Sequence, residues 1–333
     1  MQHIISMKND IITLGHGSGA ALTRQLISEV FAGKFKLAEL NDAACIDNHI
    51  TVTTDAYVVN PLFFPGGDIG KLSITGTVND LSMNGSVPAY IVASFILEEG
   101  FSIEKLKLIA DSMQKTAEEA GVKIIAGDTK VVEKGKCDGV YITTTGIGFL
   151  PDGVNLAAKN ISEGDKIIVN GSLGDHTVAI INARQNLGLD PAPESDCAPL
   201  REVIEILLNT TKFKFARDAT RGGVATILNE IYEDTGLGMI IEETSLPIKD
   251  STTALCGLLG LDPLYMANEG KLVAIISEPN NDMLSRLKAH KYGKDSAIIG
   301  KVTKEVKGVY LRTALGSLRP LLMLASDPLP RIC

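Results

Sequence analysis

The chain has 333 residues, 45% of them hydrophobic and 22% charged, with a formal net charge of −8. That length and ordinary globular composition allow a sizeable core and, at about 100–200 residues per domain, suggest two domains. The acidic balance, with no basic surplus, argues against a nucleic-acid partner.

The opening MQHIISMKND lacks the basic-then-apolar pattern of a secretory signal. The longest apolar stretch, 89–97, is too short to span a bilayer. A cytoplasmic protein is expected. In chain order, 18–31 places Leu22, Leu26, Ile27, Val30 and Phe31 on one helical face, with Gly33 as a stop. HITVTTDAYVV, 49–59, reads as a strand, and AYIVASFIL, 89–97, as a continuous apolar strand. The clearest helix is 103–120, with Ile103, Leu106, Ile109, Met113 and Ala117 on one face, Ser102 as N-cap and Gly121 as C′ residue. VKIIA and VYITTTGIG follow as strands. The pattern lapses across PDGVNLAAKNISEG, which sets the domain boundary near 155. Beyond it DKIIVNG, KLVAIIS and SAIIG read as strands, and DHTVAIINARQNLG, APLREVIEILLN and GGVATILNEIYEDTG as helices. The expected architecture is α/β of mixed type: an N-terminal domain over 1–155, a C-terminal α/β domain over 156–324, and a tail over 325–333.

Five cysteines (Cys45, Cys137, Cys197, Cys256 and Cys333), an odd count without Cys-x-x-Cys, support neither a disulfide framework nor a structural zinc site. Four lie in mixed or apolar context and read as small buried hydrophobes. Cys333 differs. It ends ASDPLPRIC, whose two prolines favour an extended, mobile arm. Nine residues reach about 30 Å when extended, enough to carry a thiol across a domain-sized cleft.

There is no Walker A motif. Six Gly-Lys pairs occur and none precedes Ser or Thr. The nearest approach is the stretch from Pro65 to Leu72, with Lys71 at the lysine position. HGSGA, with Gly17 and Gly19, precedes a helix and could present backbone N–H groups to an anion. Acidic residues recur where strands are expected to end: Asp42, Asp55, Asp80, Asp128 and Asp218. Each alone is an ordinary turn former. Together, without a basic surplus, they suit Mg²⁺–phosphate binding. Lys130 follows Asp128, and Glu269 lies in ANEGK before a strand. The histidines show no zinc-ligand spacing.

HGSGA, NDAAC, the block TTDAYVVNPLFFPGGDIGKLSITGTVNDLSMNGSVP, AGDTKVV, RDATRGGVA, ANEGK and the final PRIC occur in one order over the whole chain. This resembles the HypE family of carbamoyl dehydratases of nickel–iron hydrogenase maturation. That family lies in the superfamily of aminoimidazole ribonucleotide synthetase, selenophosphate synthetase and thiamine-monophosphate kinase. Ala20 stands where the pattern has a third glycine, and alanine still permits the turn. The resemblance implies a homodimer whose N-terminal sheets pair across subunits, with ATP and Mg²⁺ as cofactors. It implies that Asp42, Asp55, Asp80, Asp128 and Asp218 hold metal and nucleotide, with Gly17, Gly19, Lys71 and Asn79 close by. It implies catalysis by Cys333, Lys130 and Glu269: a Cys333 thiocarbamate becomes a thiocyanate. Partners would be the carbamoyltransferase HypF and an iron-binding HypC–HypD acceptor. A sister synthetase or kinase of the superfamily, or a non-catalytic carrier of a thiol, are the alternatives.

Overall fold

The computed structural model describes residues 11–37, 41–189, 193–210, 212–326 and 329–333; the opening MQHIISMKND and Asp327–Pro328 of the expected arm lie outside the described residues. The elements fall into two mixed α/β units, as the periodicities predict. The first is a five-stranded sheet in the order β1-β2-β7-β5-β6, built from β1 (Ala44–Ile46), β2 (Ile50–Tyr57), β5 (Val87–Glu98), β6 (Lys123–Val132) and β7 (Val140–Phe149). Its pairs are antiparallel except β5 with β6. A two-residue hairpin, β3 (Phe63–Phe64) with β4 (Gly67–Asp68), leads into the helix that follows.

Helix α3 (Ile69–Met83) is buried all round, its polar Ser73, Thr75, Thr77, Asn79 and Ser82 included, and only Lys71 and Asp80 escape full burial. The reason is its place: it lies on β2, β5 and β7 and also touches the second unit. A helix with no solvent face needs no polar stripe. Asp68 caps it, accepting from the N–H groups of Gly70 and Lys71. Helix α4 (Ile103–Ala120) packs on α3; Ser102 accepts from Lys105 N–H, and Gly121 closes the helix at φ 70°.

The second unit is a seven-stranded sheet ordered β14-β13-β10-β12-β8-β11-β9. Its strands are β8 (Lys166–Val169), β9 (Lys212–Asp218), β10 (Gly238–Glu242), β11 (Leu272–Ser277), β12 (Ala297–Thr303), β13 (Val309–Arg312) and β14 (Leu318–Pro320). Only β10 and β13 are parallel neighbours. The helices are α5 (Asp175–Gln185), α6 (Arg201–Thr210), α7 (Gly223–Thr235), α8 (Asp250–Leu259) and α9 (Asn281–Ala289). Three apolar clusters hold them. One includes Ile167, Val169, Leu228 and Ile275, a second Ile168, Leu207, Ile276 and Met283, and a third joins α5 to α8 through Val178, Ile181, Leu255 and Cys256. The alternation of Ile167 and Ile168 between clusters follows from the period of two in a strand. Strands β9, β10, β13 and β14 and helices α8 and α9 complete the sheet and its cover beyond the elements predicted from sequence.

The amino-terminal segment forms α1 (Ala21–Leu26), a π-turn over Ile27–Ala32 and the short α2 (Gly33–Phe35). No helix among the described residues is long and apolar enough to cross a membrane.

Candidate active site

A cavity of about 370 Å³ lies where the two units meet, and its walls bring together Asp42, Asp55, Asp80, Asp218, Glu269 and Cys333. The local structure explains each placement. Thr53, Asp55 and Tyr57 alternate on one face of β2, and Gly76 and Asp80, four residues apart, share one face of α3. Gly76 carries no side chain because a Cβ there would run into the Tyr57 hydroxyl. Asp218 ends β9, and Glu269 lies just before β11. Asp42 stands ahead of β1, where its backbone carbonyl accepts from Thr53 Oγ1 at 2.8 Å.

The electrostatics are those of crowded carboxylates removed from water. Burial first, then Asp42, push the Asp218 carboxyl up to about 8, although the Arg217 guanidinium opposes them. Burial, Asp218, Asp55 and Asp42 raise Asp80 well above the carboxylate range, despite a 2.8 Å hydrogen bond from Thr53 Oγ1 to its Oδ2. Burial, Asp218 and Asp196 raise Glu269 likewise. Glu269 Oε1 is buried with no hydrogen-bond partner. A buried, unpaired carboxylate oxygen is costly unless something completes it.

Two cations line the same walls, Arg217 and Arg221. Arg217 is committed to structure: its Nε donates to Asp42 at 2.8 Å and its Nη1 to Glu230 at 2.6 Å. Arg221 donates to the Gly17 carbonyl at 2.8 Å, and its charge is held strongly by Cys333 and by Asp55, Glu269 and Asp80. Neither arginine is among the sequence-based candidates, though both lie in RDATRGG, the motif that singled out Asp218.

Seven sequence-based candidates sit elsewhere or act differently. Asp128 and Lys130 were expected at a strand end. The strand instead runs on to Val132, so both lie within β6, the edge of the sheet, where Lys130 Nζ pairs with Asp128 at 2.8 Å and the side chains are 70% and 59% exposed. Asp80 is on a helix rather than a strand end. Lys71 lines a separate cavity with Lys271 and Asp196 and donates to the Gly66 carbonyl at 2.9 Å. Asn79 is a clamp between the units: its amide NH₂ donates to the carbonyls of Ala198 and Glu269, and its oxygen accepts from Leu200 N–H. Gly19 lines the cavity and Gly17 is tied to it only by its carbonyl, which accepts from Arg221, but the loop's N–H groups turn inward, Ser18 N to the Gly15 carbonyl and Gly19 N to Thr23 Oγ1. Gly19, at φ 77°, passes so close to Arg221 that a Cβ would come within 2.6 Å of the arginine Cβ.

The arm expected to be mobile is seated. Ile332 is 3% exposed in the first unit's core, and Cys333 reaches the cavity wall. The path is a turn, with Arg331 at φ 56°, rather than a continuous extended run.

No three His, Cys, Asp or Glu side chains among the described residues converge closely enough to hold a metal ion alone. Magnesium, however, is commonly held by one or two carboxylates together with substrate phosphates. Mutually repelling carboxylates around one cavity fit that mode.

Residues 40–150 match the family model of the N-terminal domain of AIR synthase related proteins, and 162–311 match that of the C-terminal domain. A carbamoyl dehydratase HypE from Cupriavidus necator is 45% identical over 100% of this chain and 97% of its own. Among solved structures, a HypE–HypF complex superposes with a TM-score of 0.86 at 47% identity, covering 90% of this chain and 99% of the other. HypE in complex with ATP gives 0.81 at 42% identity over 97% and 100%.

Proposed function

This chain belongs to the HypE family of carbamoyl dehydratases within the AIR synthase related proteins, and from that premise we propose that it uses ATP to convert a thiocarbamate on Cys333 into a thiocyanate. The observation that carries the reading is the presence of Cys333, Glu269 and four aspartates in the walls of one cavity.

The chemistry balances as follows. The thiocarbamate carbonyl oxygen attacks the γ-phosphorus of ATP, the bond to the bridging oxygen breaks and ADP leaves. The nitrogen then gives up two protons, the carbon–oxygen bond breaks with its electron pair going to phosphate, and –S–C≡N remains. Glu269, whose buried Oε1 has no hydrogen-bond partner, in its ionised form takes a proton from nitrogen. Arg221 faces the charge that develops on the transferred group. Asp55, Asp80 and Asp218 would hold Mg²⁺ with the nucleotide phosphates, where the ion neutralises phosphate charge; Asp42 spends one oxygen on Arg217.

The relative solved with HypF supports a HypF-type donor for the carbamoyl group, and the relative solved with ATP supports the nucleotide. The product would pass to an iron-binding HypC–HypD acceptor. A homodimer is proposed through the edge strand β6, whose Ile124, Ile125 and Val131 are exposed; Asp128 and Lys130 would act only where such pairing brings them to a cavity. The cytoplasm is proposed as its compartment, because a reducing environment keeps a cysteine available for carbamoylation.

The test is mass spectrometry of the Cys333 peptide after carbamoylation with cyanate and addition of ATP and Mg²⁺. Loss of one water only with ATP supports the reading. An unchanged thiocarbamate beside active ATP hydrolysis favours a sister synthetase or kinase.

A further inference from the structure

We propose that Arg184 and His176 are positioning residues that fix the register of the chain's last residues, and so decide that the Cys333 side chain faces the carboxylate cavity; this rests on the reading of Cys333 as substrate carrier. Neither residue belongs to a motif that carries the family resemblance, and neither lines the cavity.

The geometry is unusually complete. Arg184, on α5, donates from Nη1 to the Pro330 carbonyl at 3.0 Å and from Nη2 to the Arg331 carbonyl at 2.7 Å. Its Nε and Nη2 also reach the Asn60 carbonyl, at 2.9 and 2.6 Å. Asn60 N–H donates to the Arg331 carbonyl and Val58 N–H to that of Cys333, both at 3.2 Å, so the last residues lie along the continuation of β2. His176 spans the gap between them: its Nε2 is 2.9 Å from the Ile332 carbonyl and its Nδ1 2.8 Å from Ser195 Oγ. A carbonyl can only accept, so Nε2 carries the proton and Nδ1 accepts from the Ser195 hydroxyl. Burial lowers the His176 pKa and favours this neutral ring.

The contacts from Arg184, His176, Asn60 and Val58 are all to backbone oxygens of the tail, so they fix the position of the chain, while the Arg331 side chain adds a bond from Nε to the Val58 carbonyl at 2.8 Å and an ion pair with Asp138. Ile332 sits in the core and the adjacent Cys333 lines the cavity, so a slip of one residue along these contacts would move Cys333 away from the cavity and Ile332 out of the core. The planar fork of arginine can hold two successive carbonyls at once; the single ammonium of lysine cannot keep both in the same geometry.

The experiment uses the full-length protein carrying a cyanate-made thiocarbamate, in wild type, Arg184→Gln, Arg184→Lys and His176→Gln. Arg184 is partly exposed, so its variants should keep the wild-type melting temperature. Expected for Arg184→Gln is a single-turnover loss of water slowed by roughly tenfold or more, the range in which misplacement of a reacting group acts. Nucleotide affinity should be unchanged, and alkylation of the Cys333 thiol in uncarbamoylated protein should be several-fold faster, with Arg184→Lys intermediate in both readouts. Slower dehydration with unchanged thiol alkylation would overturn the positioning role, as would wild-type rates in both. If wild type itself loses no water, the proposed reaction fails; if wild type reacts and Arg184→Gln matches it, only this inference fails.

Discussion

Replacing Asp218 by asparagine should stabilise the nucleotide-free protein as pH rises, while removing its ability to hold nucleotide with Mg²⁺. Asp218 is 8% exposed and pushed up to about 8 by burial and by Asp42, against an ordinary value near 3.9 in the unfolded chain. Between those values the folded state keeps a proton that the unfolded state has released. Stability therefore falls as pH rises through this window and flattens above it. One such group contributes a slope of about 1.4 kcal/mol per pH unit. From pH 5.5 to 7.5 that is about 2.7 kcal/mol, or about 5–10 °C in melting temperature at about 2–4 °C per kcal/mol for units of this size. Asparagine has nearly the same shape and does not titrate. Asp80, which Asp218 helps to raise, is also relieved, in the same direction. The assay is thermal denaturation by circular dichroism in EDTA, wild type against variant, from pH 5.5 to 8.5. The variant should already be more stable at pH 5.5, by about 2 kcal/mol, and the gap should widen toward pH 8. Parallel curves, or a variant less stable throughout, would refute the reasoning. Saturating ATP and Mg²⁺ should flatten the wild-type slope and release protons into weak buffer.

Glu269→Gln should slow single-turnover dehydration by about 10²–10⁴-fold, the range for losing a general base, with nucleotide binding retained in calorimetry; a near-wild-type rate removes Glu269 from the proton transfer. Arg217→Met should cost about 2–3 kcal/mol in urea denaturation, less than the about 3–5 kcal/mol for breaking a fully buried pair, because Arg217 and its partners Asp42 and Glu230 keep 24%, 13% and 13% side-chain exposure. Asp80→Asn should weaken Mg²⁺-dependent ATP binding by about tenfold or more, a loss of about 1.4 kcal/mol at least, and an unchanged isotherm would remove Asp80 from the metal set. Cys333→Ala should form no thiocyanate yet bind ATP as wild type does, since Ile332 rather than Cys333 carries the tail's buried surface; loss of ATP binding in that variant would assign the cysteine a structural role instead.

Local chemistry decided much of this protein by itself. Helix α4 begins after Ser102 and ends at Gly121 because a hydroxyl can satisfy an orphan N–H and glycine can adopt φ 70°; neither effect needs a neighbour. The period-two and period-3.6 patterns likewise marked β2, β5, β7, β8, α5 and α7, because alternation and helical stripes are properties of a single segment. The acidic motifs around Asp55, Asp80 and Asp218 were legible as residue types, and their order along the chain carried the family. What one segment cannot encode is which neighbour it meets. Asp128 and Lys130 looked equivalent to the other strand-end charges, but β6 continues past them and occupies the sheet edge, so they face away from this chain's cavity. Asn79 looked like part of the site and is consumed by backbone groups of the second unit. Arg217 and Arg221 gained their roles only where β9 and the following loop meet Asp42 and Gly17, 175 and 204 residues away in sequence. The seating of Cys333 depends in the same way on Val58, Asn60, His176 and Arg184, groups whose hydrogen bonds to the tail form only once both units have folded around it.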